Sequence, residues 1–196
     1  MLFFLILGSS VPNFNTFLYY YETEVLGITQ IVISWLSVVS YAALFLGVSL
    51  YSMCLLSVQI RWMMVIACCI NLFGAVTTLL FTRGMFLGMP PLVFLIMTTT
   101  VTDTLYNAFT QMPAMVLFAK LIPESVESSM FALLTGLMNF SLYAAQELAI
   151  FVNSFIGVNS DSLNRLWELY AIQAGCCCIP LLFVCILPSK AQVSVV

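Results

Sequence analysis

Apolar residues in this chain come in long runs, and polar residues break the runs at fairly regular intervals. A hydrocarbon layer about 30 Å thick needs about 20 mostly apolar residues to cross as a helix. Six stretches answer to that length: 2–21, 29–56, 62–82, 90–121, 123–155 and 163–187. The breaks hold groups that want water or stop a helix: Glu22 and Glu24, the turn before Arg61, Arg83 with Gly84 and Gly88, Lys120 with Pro123, and Asp161. The elbow at 120–127 is the clearest of them. Pro123 lacks a backbone donor and suits the first position of the following helix, where no donor is needed. Glu124 and Glu127 then fall in that helix's first turn, where the macrodipole favours negative charge. The pattern predicts an all-α polytopic membrane protein. It is a six-transmembrane-helix bundle over 1–190, with a polar tail at 191–196.

Polarity inside the runs marks the bundle's interior. The first span carries Ser9, Ser10, Pro12, Asn13 and Asn15 at its middle, and Pro12 should kink it. Interrupted helices of this kind line transport cavities. The fourth span is the most polar, and Asp103, Asn107 and Gln111 recur at i, i+4 and i+8 on one face. In the fifth span Asn139, Tyr143, Gln146 and Glu147 fall roughly on one side. Polar side chains in a span turn to the bundle interior or to water, because lipid would penalise them. Gly47 in the second span suits close helix contact, and Pro180 predicts a kink in the sixth.

Composition sharpens the class. Hydrophobic residues make up 63% and charged residues 7%, with a mean hydropathy of +1.12. A soluble domain carries about 25% charged residues, so a water-facing surface cannot be built from this chain. The five basic residues are scattered and the net charge is −3, which excludes a nucleic-acid partner. Histidine is absent, so imidazole metal ligands, Ser-His-Asp triads and imidazole relays are excluded together. The seven cysteines lie in apolar runs without metal-ligand spacing and read as packing residues. No enzyme, metal or cofactor is expected. No basic residue precedes Arg61, so the apolar start lacks the positive region of a signal peptide and reads as a helix.

Several motifs carry a family likeness. They are Met112-Pro113, the run from Val116 through Leu121, Pro123, Val126-Glu127, and Phe131-Ala132-Leu133-Leu134 followed by Asn139. With the aromatic patch Phe17 to Tyr21 and Leu26-Gly27, they resemble the folate–biopterin transporter family of the major facilitator superfamily. Ile122 stands where that family usually has Cys, and Ser125 where Gly is common. The resemblance is to the second half of such a transporter. It implies alternating access against a missing N-terminal half or a second copy, within a lipid bilayer. It also puts Met1 on the cytoplasmic side, so that Arg61, Lys120 and Lys190 face the cytoplasm and Arg83 and Arg165 the other side.

With that likeness, a cavity between the first, fourth and fifth spans is the expected site for a pterin or folate-like organic solute. Candidate solute contacts are Asn13, Asp103, Asn107, Gln111, Asn139, Tyr143 and Gln146. Amides could meet the alternating donors and acceptors of a pterin edge, and Tyr106 or Tyr143 could stack on the ring. Asp103 and Glu147 are the candidates for coupling, as ionisable groups within spans. Two other readings stand beside this one. The first is a facilitator for another small organic solute. The second is a half-length, non-transporting membrane protein that binds a partner.

Overall fold

The computed structural model describes residues 2–55, 58–86, 88–96, 100–121, 127–159 and 163–184. Apolar runs surrounded by hydrocarbon must close their own backbone hydrogen bonds, and helices do so. The chain accordingly forms α1 (Leu2–Ser9), α2 (Asn15–Tyr20), α3 (Gln30–Leu50), α4 (Ile60–Thr82), α5 (Pro91–Leu95) and α6 (Val101–Leu121). After these come α7 (Glu127–Ile156), α8 (Leu166–Cys176) and α9 (Ile179–Phe183). Wider π-helical turns extend α2 over Tyr21–Val25 and α3 over Tyr51–Leu55. No strand occurs among the described residues.

Helix ends follow local chemistry. Arg83 caps α4, and Gly84 adopts a left-handed φ of 72°. The Gly84 N–H then bonds the Phe81 carbonyl, and the Met85 N–H bonds that of Leu80, both at 3.0 Å. This crossed pair closes a helix where a Cβ would strain the backbone. At the end of α7 the Asn153 side chain holds both backbone groups of Val158, at 2.9 and 3.0 Å. Arg165 pairs with Glu168 at 2.7 Å and donates to the Ile156 carbonyl at 3.0 Å, satisfying an orphan acceptor there.

α4 is central and lies against both α6 and α8; α6 also packs on α3, and α1 packs on α7. Gly47 of α3 lies against Ala108 and Leu105 of α6, the close approach expected of a small residue. Near one end Phe4 meets Phe118 at 5.8 Å between ring centres, in an apolar cluster that includes Met64 and Leu134. Toward the other end Phe14, Tyr21, Phe81 and Tyr170 form a second cluster. There Arg83 lies 4.1 Å from the centre of the Trp167 ring, so Arg83 and Arg165 share one end of the bundle.

Among the described residues, four helices are long and apolar enough to cross a membrane: Gln30–Leu55, Ile60–Thr82, Ser128–Ile156 and Leu163–Phe183. Their outward residues, Trp35, Tyr41, Phe45, Phe140 and Phe155 among them, are exposed apolar groups suited to lipid. With the absence of strands, this makes the chain an all-α multi-pass membrane protein. The first and fourth predicted spans fall outside that group for physical reasons. The first is not one kinked helix, because the chain leaves helical geometry between Ser9 and Asn15, around the buried Pro12. Of the fourth, α5 and α6 are described, with π-helical geometry at Ile96 and Thr100 and positions 97–99 outside the described residues, and the polar residues of α6 lower its hydropathy. The sixth breaks at 177–178, with Pro180 in the first turn of α9, close to the predicted kink. The elbow at 122–126, Asp161, Cys185 and the tail lie outside the described residues.

Candidate functional site

α6 is the element on which the site is built. Its buried face packs on α3 and α4 through Ala108, Phe109, Ala114 and Leu117. Asn107 and Gln111, one turn apart, are left off that face and open. On the other side α1 and α7 form their own close pair. A Cβ on Gly8 would lie 2.5 Å from the Ser141 Cβ, so only glycine lets the two helices approach this far. The Asn13 N–H donates to the Ala145 carbonyl at 3.2 Å, tying the break after α1 to α7.

Between these two assemblies lies a cavity of about 260 Å³. α6 contributes Tyr106, Asn107, Thr110, Gln111 and Met115; α7 contributes Thr135, Met138, Asn139, Ser141 and Leu142; α1 contributes Phe4, Leu7 and Gly8. The Phe4–Phe118 contact closes helices together beside it. The wall has an apolar body and a few polar points, with no Lys or Arg among the described residues lining it. The Thr135 and Ser141 hydroxyls donate to carbonyls one turn back, each at 2.9 Å. The three amides offer both donors and acceptors.

A second cleft, of about 210 Å³, lies where α6 meets α2 and α3. Asp103 opens into it from α6, Ser37 and Ser40 from α3, and Asn15 and Glu22 from α2 and its π-helical extension. Glu22 follows the first predicted span, yet it is buried, and that burial raises its carboxyl from the ordinary 4.5 to about 7.

The chain's matches to known proteins agree with the motifs. The sequence pattern of the BT1 family matches residues 1–196, the whole chain. The chain belongs to the BT1 family. It is 26% identical to "Probable folate-biopterin transporter 4" of Arabidopsis thaliana, over 97% of this chain and 39% of that protein. It is 26% identical to "Folate transporter 1" of Plasmodium falciparum (isolate 3D7), over 96% of this chain and 38% of that protein. The "Folate-biopterin transporter" of Synechocystis sp. is also 26% identical, over 95% of this chain and 38% of that protein. The chain thus spans about two fifths of the length of the curated relatives it matches. No solved structure gives a significant match. These relatives are named as transporters, in keeping with the expectation that the chain is not an enzyme.

In this BT1-family chain, the predicted site residues separate. Asn107, Gln111 and Asn139 meet at the cavity between α1, α6 and α7. Asp103 opens into the second cleft instead. The Asn13 side chain accepts the Asn15 N–H at 3.0 Å, at the start of α2. Tyr143, Gln146 and Glu147 are exposed on α7 outside the lining of both cavities. The cause is the packing stripe of α7: Leu134, Ser141, Ala145 and Ala149 are buried, leaving the polar side of its later turns open. Sequence reasoning missed Thr135 and Ser141 on α7, and above all Glu22. The spacing of Thr135, Asn139 and Leu142 at i, i+4 and i+7 was the available signal for the first of these. Glu22 gave none, because its position after Tyr21 read as a wet loop.

Cysteine usage fits packing where it is buried: Cys68 and Cys177 lie within the protein, while Cys54, Cys69 and Cys178 are exposed. Among the described residues no three His, Cys, Asp or Glu side chains gather to hold a metal ion.

Proposed function

We propose that this chain forms part of a membrane carrier for a pterin or folate-like organic solute. In this reading the solute meets the cavity between α1, α6 and α7, and the bundle is one of six spans. The observation that carries the reading is the convergence of Asn107, Gln111 and Asn139, from two helices, on one cavity. A neutral wall of amides and aromatic carbon suits a flat heterocycle with alternating donors and acceptors. The lack of a lining Lys or Arg among the described residues favours a pterin over a solute with two carboxylates.

The cavity volume of about 260 Å³ is smaller than the ~300–1,000 Å³ that usually encloses a small organic ligand. That fits a site completed by another helical half, which would rock against this one in alternating access. The broken first span lining such a cavity is in keeping with the same mechanism.

Uptake of labelled biopterin and folate into vesicles tests this, using the protein with all the sequence it naturally carries. The double substitution Asn107→Ala, Gln111→Ala should reduce biopterin uptake efficiency at least about tenfold, the loss of one to two net hydrogen bonds. Unchanged uptake of both solutes at equal protein abundance would remove this cavity from the mechanism.

A further inference from the structure

The polar lining of the second cleft is mostly oxygen, and three of its hydroxyls are acceptors only. Ser37 donates its hydroxyl proton to the Ile33 carbonyl at 3.2 Å, Ser40 to Leu36 at 3.1 Å, and Thr104 to Thr100 at 2.7 Å. A hydroxyl has one proton, so each of these oxygens turns only lone pairs toward the cleft. None can donate to a carboxylate there. Glu22 and Asp103 face the same space. Glu22 retains 9% of its exposure, and its side chain has no hydrogen bond or ion pair among the described residues. No Lys or Arg among the described residues lines the cleft. Two carboxylates, the buried Glu22 and the more open Asp103, therefore share the cleft with these three hydroxyl oxygens, and only the neutral Asn15 amide and the Thr100 hydroxyl remain there as possible donors, with no positive charge to balance the acids.

The geometry points to a binding site for a hard inorganic cation between α2, α3 and α6, held by Glu22 and Asp103 with Ser37, Ser40 and Thr104. All five side chains bring oxygen, the donor that Mg2+, Ca2+ and alkali ions select, and none brings nitrogen or sulfur. Two carboxylates match a divalent charge. A cleft of about 210 Å³ is far larger than a bare ion and has room for about seven waters at ~30 Å³ each. The cation would thus keep part of its hydration shell, as Mg2+ in particular tends to do. This site lies away from the amide-lined cavity and does not depend on the solute assignment.

The test is thermal unfolding of the purified protein in detergent, with all its natural flanking sequence, at pH 8 and matched ionic strength. The arms are MgCl2, CaCl2, NaCl, methylammonium chloride and choline chloride. Equilibrium dialysis against labelled Ca2+ and Na+ gives a direct count of bound ion. One of the metal ions should raise the unfolding midpoint saturably, by several degrees over choline. Glu22→Gln and Asp103→Asn should each weaken that response at least about tenfold in ion concentration. If those variants do not fold, the unmodified protein and the dialysis decide. A midpoint that no metal ion moves beyond choline, with no ion retained in dialysis, would overturn the site and leave the cleft neutralised by protons. A response to methylammonium alone would overturn the inorganic cation in favour of an organic amine.

Discussion

Two cavities of similar size are built partly from α6, about 260 Å³ against α1 and α7 and about 210 Å³ against α2 and α3. Their chemistry is different. The first is neutral, and its amides can both donate and accept. The second is acidic, and the hydroxyl protons of Ser37, Ser40 and Thr104 are already spent on helix carbonyls. Asp103 and Asn107 are one turn apart on the same helix, yet each opens into a different space. A single polar stripe can thus serve two neighbours when the partner helices change along its length. A flat polar solute suits the first environment and a cation the second.

The comparison can be broken first on the acidic side, where the largest effect is expected. Glu22 titrates from 4.5 when unfolded to about 7 when folded, so the folded state holds the extra proton between those values. Its contribution is fully present below pH 4.5 and lost as pH rises through about 7, an overall change of about 3 kcal/mol. Asp103 faces Glu22 across the cleft, and Tyr170 lies within electrostatic range of both. In choline buffer the unfolding midpoint should therefore fall between pH 5 and pH 8, and Glu22→Gln should flatten the profile. An equally steep profile in that variant would assign the slope to another group.

On the neutral side the sharper handle is steric. Gly8→Ala places a Cβ 2.5 Å from that of Ser141 and should destabilise by about 1–3 kcal/mol, with loss of solute binding at the adjoining cavity. Adding Ser141→Gly should restore much of the stability, because the clash is between those two atoms. Failure of that rescue would mean that the α1–α7 contact is not what positions the cavity. A smaller effect with the opposite sign is expected at Gly136, where a Cβ would meet nothing within 4 Å. Gly136→Ala should stabilise α7 by about 0.5–1 kcal/mol in the same assay. The smallest effect is expected at Tyr143, which is 69% exposed. Tyr143→Phe should change stability by less than about 0.5 kcal/mol and leave biopterin uptake unchanged. A large loss of uptake would return Tyr143 to the solute's path.

Much of this was legible before any coordinates. Apolar run length and the scarcity of charge determine an all-α membrane protein, because only helices and closed barrels satisfy the backbone in lipid and continuous apolar runs of this length suit helices. The polar stripe on α6 was readable for the same reason, and the motifs after Met112 carried the family. The close fit of Gly8 on Ser141 needed the register of α1 on α7, which run length does not encode. The separation of Asp103 from Asn107 needed to know which helices stand beside each turn of α6. The burial of Glu22 needed α3 and α6 to close over a residue that, along the chain, follows an aromatic belt. Sequence determined what each segment must hide from lipid; tertiary packing alone decided which hidden groups face one another, because that depends on neighbours distant in the chain.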